Sequence, residues 1–494
     1  MVTLEDCQQA GSYEYKGLST DTKPTNCYVN SLFLELDTGY FYYFDGSTWV
    51  KTKSGDGYST FKSLIDRSIT EVTEEMTEGV GYIGHSSFVG CSQLTKVTIG
   101  SSISGISSFA FWNCSALTSV DLSKGVTQIY DCAFENCSSL TNLKLGDRLR
   151  SIGGSSFKGC TGLPEIKIPD GPDGTETIGG SAFENCSGAT KLFLPGTLKS
   201  IGRFAFKGCS SISSISIPLS ITSIQEYTFE NCSGATSLSL TTGTTKIGEG
   251  AFKGCSSLKS LNIPSTLTHL DNEAFESCSS LTSILYSGES KEGATSLKQI
   301  GDACFRYCTS LKYVWIPETT KRANRGDWTG SSFAYCTALK TVEIQDGVDR
   351  IGNNTFDGCT SLENINFPGT LGISGNIGIQ AFRDCRSLRE IEIGDGVKGI
   401  FEEAFIGCYN LNSVILPSSI ETIGEKAFYH NEIATGMYTL KIYASTPPAL
   451  GDNAISSWFS LTGYLPKIKV PSGSVGTYRN ASGWSSFGDR IIEM

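Results

Sequence analysis

The residues whose spacing bears most directly on chemistry are the cysteines, 18 thiols among 494 residues. Thiolates can ligate zinc, close disulfides or act as nucleophiles, and their spacing separates these roles. Fourteen of them fall at one place in a recurring segment: Cys91, Cys114, Cys137, Cys160, Cys186, Cys209, Cys232, Cys255, Cys278, Cys308, Cys336, Cys359, Cys385 and Cys408. Cys7, Cys27, Cys132 and Cys304 stand outside the series. One thiol per segment supplies neither paired ligands nor a tetrahedral grouping, and His85, His269 and His430 lie in different segments. Cys304 and Cys308 have no second ligand pair. The series is therefore expected to be reduced thiols used as small buried hydrophobes, with no metal and no cofactor.

Other motifs carry less. Gly79-Val80-Gly81-Tyr82-Ile83-Gly84 matches G-x-G-x-x-G, but it neither follows a strand in a βαβ unit nor opens a helix. No H-E-x-x-H, P-loop or G-x-S-x-G occurs. Asp170-Gly171-Pro172-Asp173-Gly174 lacks the alternating oxygen ligands of a calcium loop and is expected to be a turn. Asn113, Asn136, Asn185 and Asn231 form N-C-S sequons only because the recurring segment dictates N-C-S there. Without an outward carboxylate pair or a nucleophile beside a base, the chain is not expected to be an enzyme.

The elements that place these residues follow from the period. Most steps between the serial cysteines are 23 residues, and the longer ones insert 3, 5 or 7. Such a period signals a solenoid, in which each coil contacts only its neighbours. The copy at Ile247, Gly248, Ala251, Phe252, Cys255, Leu258, Leu261, Ile263 and Pro264 shows the unit. Leu258, Leu261 and Ile263 belong to a short strand with Asn262 facing outward, and Pro264 ends it. The Ala-Phe-x-x-Cys part is too short for a free helix and is expected to be a turn or one helical turn on the opposite wall. A phenylalanine recurs from Phe88 to Phe428, giving fifteen coils, the last without its cysteine. Each buried ring should contribute roughly 2–3 kcal/mol, which no coil secures alone, so stacking is obligatory. The expected fold is mostly β with short helical turns. Fifteen coils at about 4.8 Å would make a rod on the order of 70 Å with a parallel sheet along one face. Composition agrees: 55 Gly and only 18% charged residues disfavour long helices. A net charge of -11 argues against nucleic-acid binding, and no apolar run is long enough to span a membrane.

At nearly every coil from about residue 81 to 435, the unit I-G-x-x-A-F-x-x-C-S-S-L-x-x-I-x-I-P resembles the BspA-like, or Treponema-type, leucine-rich repeat family. The resemblance implies a right-handed leucine-rich-repeat solenoid acting as a non-catalytic adhesion or protein-interaction array. Residues 436–494, with Pro447-Pro448, Ile468-Lys469-Val470-Pro471, Tyr478, Gly483-Trp484 and Phe487, look like the closing cap of family members. Such a lid would cover the open end of the sheet.

Residues 1–53 lack the repeat. Phe33-Leu34-Glu35-Leu36 and Tyr40-Phe41-Tyr42-Tyr43-Phe44 predict a hairpin about Asp37-Thr38-Gly39, with Thr48-Trp49-Val50 as a third strand. Residues 54–80 are expected to be a linker and an imperfect capping coil around Ile69-Thr70-Glu71-Val72, with Glu74 where the repeat is apolar. The stretch from Gly17 to Trp49, including Asp21-Thr22-Lys23-Pro24 and Asp45-Gly46-Ser47-Thr48-Trp49, resembles a module of tailed-bacteriophage virion proteins. The N-terminus shows no secretory signal, as a virion protein needs none. The leading expectation is thus a non-enzymatic virion protein. Its N-terminal module would bind other virion proteins, in symmetric copies, and its repeats would bind a host surface protein or glycan. The alternative is a bacterial cell-surface or secreted adhesin of the same repeat family.

The outward middle position of each strand forms a row that is small and polar at Ser216, Ser239 and Asn262, then changes to Leu285 and Trp315, with Tyr313 beside the latter. The two longest insertions flank this change, one carrying Lys321, Arg322, Arg325 and Trp328. Rigid aromatic rings beside basic residues are typical of a partner-binding hot spot. Either these residues line a binding surface, or the insertions fold over the strands and Trp315 packs beneath them.

Overall fold

The computed structural model describes residues 68–77, 80–171, 174–286, 296–317, 330–348, 350–367, 375–429, 439–455 and 467–494, with Lys23 and the backbone of five short strands between residues 3 and 51. Two compact units divide the chain: Met1–Pro164 with Ile168–Cys186, and Glu165–Lys167 with Ser187–Met494.

In the first unit the predicted hairpin is present as Leu32–Glu35 antiparallel to Phe41–Phe44, and Trp49–Lys51 adds the third strand. Two strands not anticipated, Thr3–Glu5 and Glu14–Gly17, extend this sheet, the latter running parallel to Leu32–Glu35. The connection at Asp37-Thr38-Gly39 lies outside the described residues.

The repeat begins with Glu71–Val72, which pairs in parallel with Lys96–Thr98. Ser119–Leu122 and Asn142–Leu145 continue the sheet, with Val97, Val120 and Leu143 in register. Alternation accounts for burial along each strand, as in Ser119–Leu122, where Val120 and Leu122 enter the core and Asp121 faces away. Before the first full coil, the Thr77 hydroxyl donates to the Glu74 carbonyl at 2.8 Å and accepts the Gly100 N–H at 3.0 Å. Glu74 points outward to Lys124 at 2.6 Å, so its polarity is accommodated at this end.

Most of the described coils carry a second short strand, where the sequence suggested only one sheet. Tyr82–Ile83, Gly105–Ile106, Gln128–Ile129, Ser151–Ile152 and Thr177–Ile178 pair in parallel one coil after another. The isoleucine enters the core, and where a glycine follows it, consecutive coils close up: a Cβ on Gly179 would stand 2.5 Å from the Gly154 nitrogen. Two residues are too few to show a strand period, so this element carried no readable signal.

The Ala-Phe-x-x-Cys segments form tight turns rather than helices. In the second unit Tyr227, Phe229 and Asn231 donate their N–H groups to Glu249, Ala251 and Lys253 of the next coil at 2.7–2.8 Å. Tyr227 and Asn231 take positive φ, 55° and 58°, which turns their amides towards that neighbour. The turn wall is thus a hydrogen-bonded surface, with every other amide serving the next coil. Between the walls the phenylalanines stack face to face, 5.3 Å apart from Phe206 to Phe229 and 5.4 Å from Phe229 to Phe252.

The second unit repeats the plan. Its outer strands run from Glu165–Lys167 and Lys191–Phe193 to Ser413–Leu416, Thr439–Ile442 and Lys467–Val470. The array makes about 16 turns of roughly 23 residues, one more than the phenylalanine count. Helix among the described residues is confined to Glu75–Thr77, Val475–Asn480 and Ser485–Arg490. The last two belong to a lid in which the Tyr478 hydroxyl donates to the Ala444 carbonyl and the Trp484 indole N–H to that of Pro448, each at 2.8 Å. Both rings are fully buried and meet edge to face.

Candidate interaction surface

The described serial cysteines are buried and not joined in disulfides. Each lies one step past the stacked ring, and most donate their S–H to the phenylalanine carbonyl of the coil before: Cys114 to Phe88 at 3.0 Å, Cys232 to Phe206 at 3.3 Å, Cys255 to Phe229 at 3.4 Å. Burial pushes the Cys255 thiol up to about 12, the opposite of what a nucleophile or metal ligand requires. The half-buried Cys132 is also pushed to about 12, by desolvation and by Glu135. Among the described residues, no three or more His, Cys, Asp or Glu are grouped to hold a metal ion.

On the strand wall of the second unit, Phe193 and Leu285 project outward, 48% and 54% exposed. Between them in sequence, Ser216, Ser239 and Asn262 occupy the same position and are exposed, without charge. In the first unit two of the corresponding residues are ionic, and Lys144 lies 3.4 Å from Asp121. Burial opposes ionisation of Asp121, but hydrogen bonds from Ser123 and the Lys144 charge outweigh it and hold the carboxyl below the usual range.

Of the residues singled out from sequence, Leu285 is exposed as expected, whereas Trp315 is not: it is buried, 8% exposed. Tyr286 is the reason. Its ring meets the indole edge to face at 4.8 Å, and its hydroxyl donates to the Trp315 carbonyl at 2.9 Å. Tyr286 stands in register with the core residue Ile263, so an aromatic in place of an aliphatic was the signal that could have revealed this packing. Tyr313 is half-buried, and desolvation together with the Glu343 carboxylate raises its phenol. Trp315 thus belongs to a packed cluster rather than an open hot spot. Lys321, Arg322, Arg325 and Trp328 lie outside the described residues.

The comparisons follow this geometry. The model of the BspA type leucine rich repeat region matches in overlapping stretches, 58–174, 170–282, 236–326, 287–373 and 328–444. A crystal structure of a leucine-rich repeat protein from Bacteroides ovatus is 22% identical, covers 100% of this chain and 97% of its own, and superposes with a TM-score of 0.57. A leucine rich cell surface protein from Faecalibacterium prausnitzii is 20% identical over 80% of this chain and 87% of its own, with a TM-score of 0.36. The leucine-rich repeat protein of T. pallidum is 24% identical over 38% of this chain and 72% of its own, at 0.27. No match was found among curated proteins. The family match and the Bacteroides ovatus likeness show the repeat fold, and the comparisons bring no support for the virion reading. Proteins of this kind are typically non-enzymatic binding proteins. Stacked coils built on one recurring phenylalanine and cysteine, matched from residue 58 to 444, make this chain a member of the BspA-type leucine-rich repeat family.

Proposed function

We propose that the protein is a bacterial cell-surface or secreted adhesin whose strand wall binds a host surface protein or glycan. The observation that carries this reading is the pair of large apolar side chains, Phe193 and Leu285, standing exposed at outward strand positions of the second unit. A folded array loses water-ordered apolar surface by covering such residues, and rigid strands do so at small conformational cost. The neutral Ser216, Ser239 and Asn262 offer hydroxyls and an amide to a polar ligand. The net charge of -11 disfavours nucleic acid. Family membership adds the general expectation of binding without catalysis. The virion reading draws on the likeness of residues 17–49; capsid and portal genes beside this one would revive it.

The test measures adhesion of the purified chain to host cells and to an array of host glycans. Phe193→Asp with Leu285→Asp should weaken binding at least tenfold while the circular dichroism spectrum is retained. Unchanged binding by the double variant would remove this wall from the adhesive surface.

A further inference from the structure

The residue after each stacked phenylalanine shows a pattern with twice the period of the repeat. From Glu135 the column runs Lys158, Glu184, Lys207, Glu230, Lys253, Glu276 and Arg306, alternating in sign at every coil. Its members touch. In the first unit Lys158 lies 3.1 Å from Glu184. In the second, Lys207 lies 2.9 Å from Glu230, and Glu276 is gripped from both sides, by Lys253 at 2.7 Å and by Arg306 at 2.5 Å. The carboxylates sit deep, with side chains 14% exposed at Glu230 and 5% at Glu276, while the cations cover them from outside. Ala334 interrupts the column, and Asp357 with Arg383 resumes it at 3.8 Å.

A steric alternation accompanies the charges. The next residue takes positive φ in successive coils and is filled in turn by Gly159, Asn185, Gly208, Asn231 and Gly254. A Cβ on Gly254 would stand 2.2 Å from Asn231 Oδ1, and one on Gly159 2.5 Å from Asn136 Oδ1. Asn136 and Asn231 thus lean over the glycine of the following coil. The segment Phe-Glu-Asn-Cys-Ser-Gly-Ala-Thr recurs unchanged at 183–190 and 229–236, two coils apart.

We propose that this double-period column of charge and size fixes the register of the stack, making a pair of coils, not a single coil, the unit in which the array is assembled and can be lengthened. All coils share the phenylalanine and cysteine columns, so the hydrophobic core alone cannot tell a correct neighbour from one displaced by a single coil. The column can, because a one-coil displacement sets deep carboxylate against carboxylate and cation against cation. A two-coil displacement restores every contact of opposite sign.

Two excisions test this in the full chain. Removing residues 230–252 takes out one coil and leaves Lys207 beside Lys253. Removing 230–275 takes out two and leaves Lys207 beside Glu276. The expected result is that the shorter chain has the higher thermal midpoint in low salt, and that the difference shrinks near 1 M salt, where the screening length falls to about 3 Å. A one-coil excision as stable as the two-coil excision in low salt would overturn the proposal. Should neither fold, the exchange Lys253→Glu with Glu276→Lys decides. It retains the pair itself but sets like charges against Glu230 and Arg306; made in a Glu273→Gln background, because Lys253 also meets Glu273 at 2.6 Å, it should lower the midpoint by at least roughly 3 °C. No change in the exchanged chain would overturn the proposal.

Discussion

Replacing Cys255 separates two roles that its thiol could have, spacer or hydrogen-bond donor. The group is fully enclosed, and its sulfur lies 3.4 Å from the Phe229 carbonyl, an ordinary distance for S–H but long for O–H, which prefers about 2.7–2.8 Å. Cys255→Ala removes one methyl-sized group from water-free packing and leaves a small void. The Phe229 carbonyl stays satisfied, because it also accepts the Cys232 N–H at 3.2 Å. Transfer, void and the lost weak bond together come to about 1–2 kcal/mol. Cys255→Ser keeps a donor, but the hydroxyl reaches less far than the thiol and must be buried with a stretched partner, costing about 2–3 kcal/mol. The expected order of stability is therefore cysteine, alanine, serine. Guanidinium unfolding of the three proteins measures it, with amide exchange around residues 229–278 locating the loss, since repeat arrays open locally. A serine variant as stable as the parent, or clearly more stable than alanine, would refute the reasoning and make the bond the determinant.

Two further outcomes can be checked with the same protein. With the Cys255 and Cys132 thiols at about 12, only about one part in ten thousand of each is thiolate at pH 8, so iodoacetamide should leave both unmodified for hours in the native state and label them promptly in denaturant; rapid native labelling found by mass spectrometry would contradict this. At Glu276, burial opposes ionisation, but Lys253 and Arg306 outweigh it and hold the carboxyl below its usual range, so its contribution is present above the unfolded-state pKa and lost as pH falls through the folded one. Glu276→Gln should therefore be less stable than the parent at pH 7, with the gap closing in acid; a gap independent of pH would exclude that account.

The core was legible because its signals recur once per coil: Phe252 and Cys255 have equivalents along the array, and identical neighbours could only be stacked. The strand Ser260–Ile263 was legible from its alternation. The second strand at Lys246–Ile247 was not, since a dipeptide has no period and its pairing comes wholly from the adjacent coil. Which of the two readings held for Trp315 was not legible for a related reason. Its position in the row predicts an outward side chain, but its burial depends on Tyr286, a residue twenty-nine positions earlier whose replacement of an aliphatic is a single local event. The charge column escaped notice because aligning coils at one period averages Lys253 with Glu276 and cancels the pattern.

The positive backbone torsions of the turn wall bear on how little a coil means by itself. Phe204, Tyr227 and Glu273 hold left-handed geometry that side-chain-bearing residues adopt reluctantly, at a cost of order 1 kcal/mol or more each. A synthetic peptide spanning one coil would have no neighbouring carbonyls to hold those amides and would relax to ordinary extended or random conformations. The hairpin-tight bend is thus a collective property, created by contact and erased by separation, so damage at one site should spread as fraying of adjacent coils.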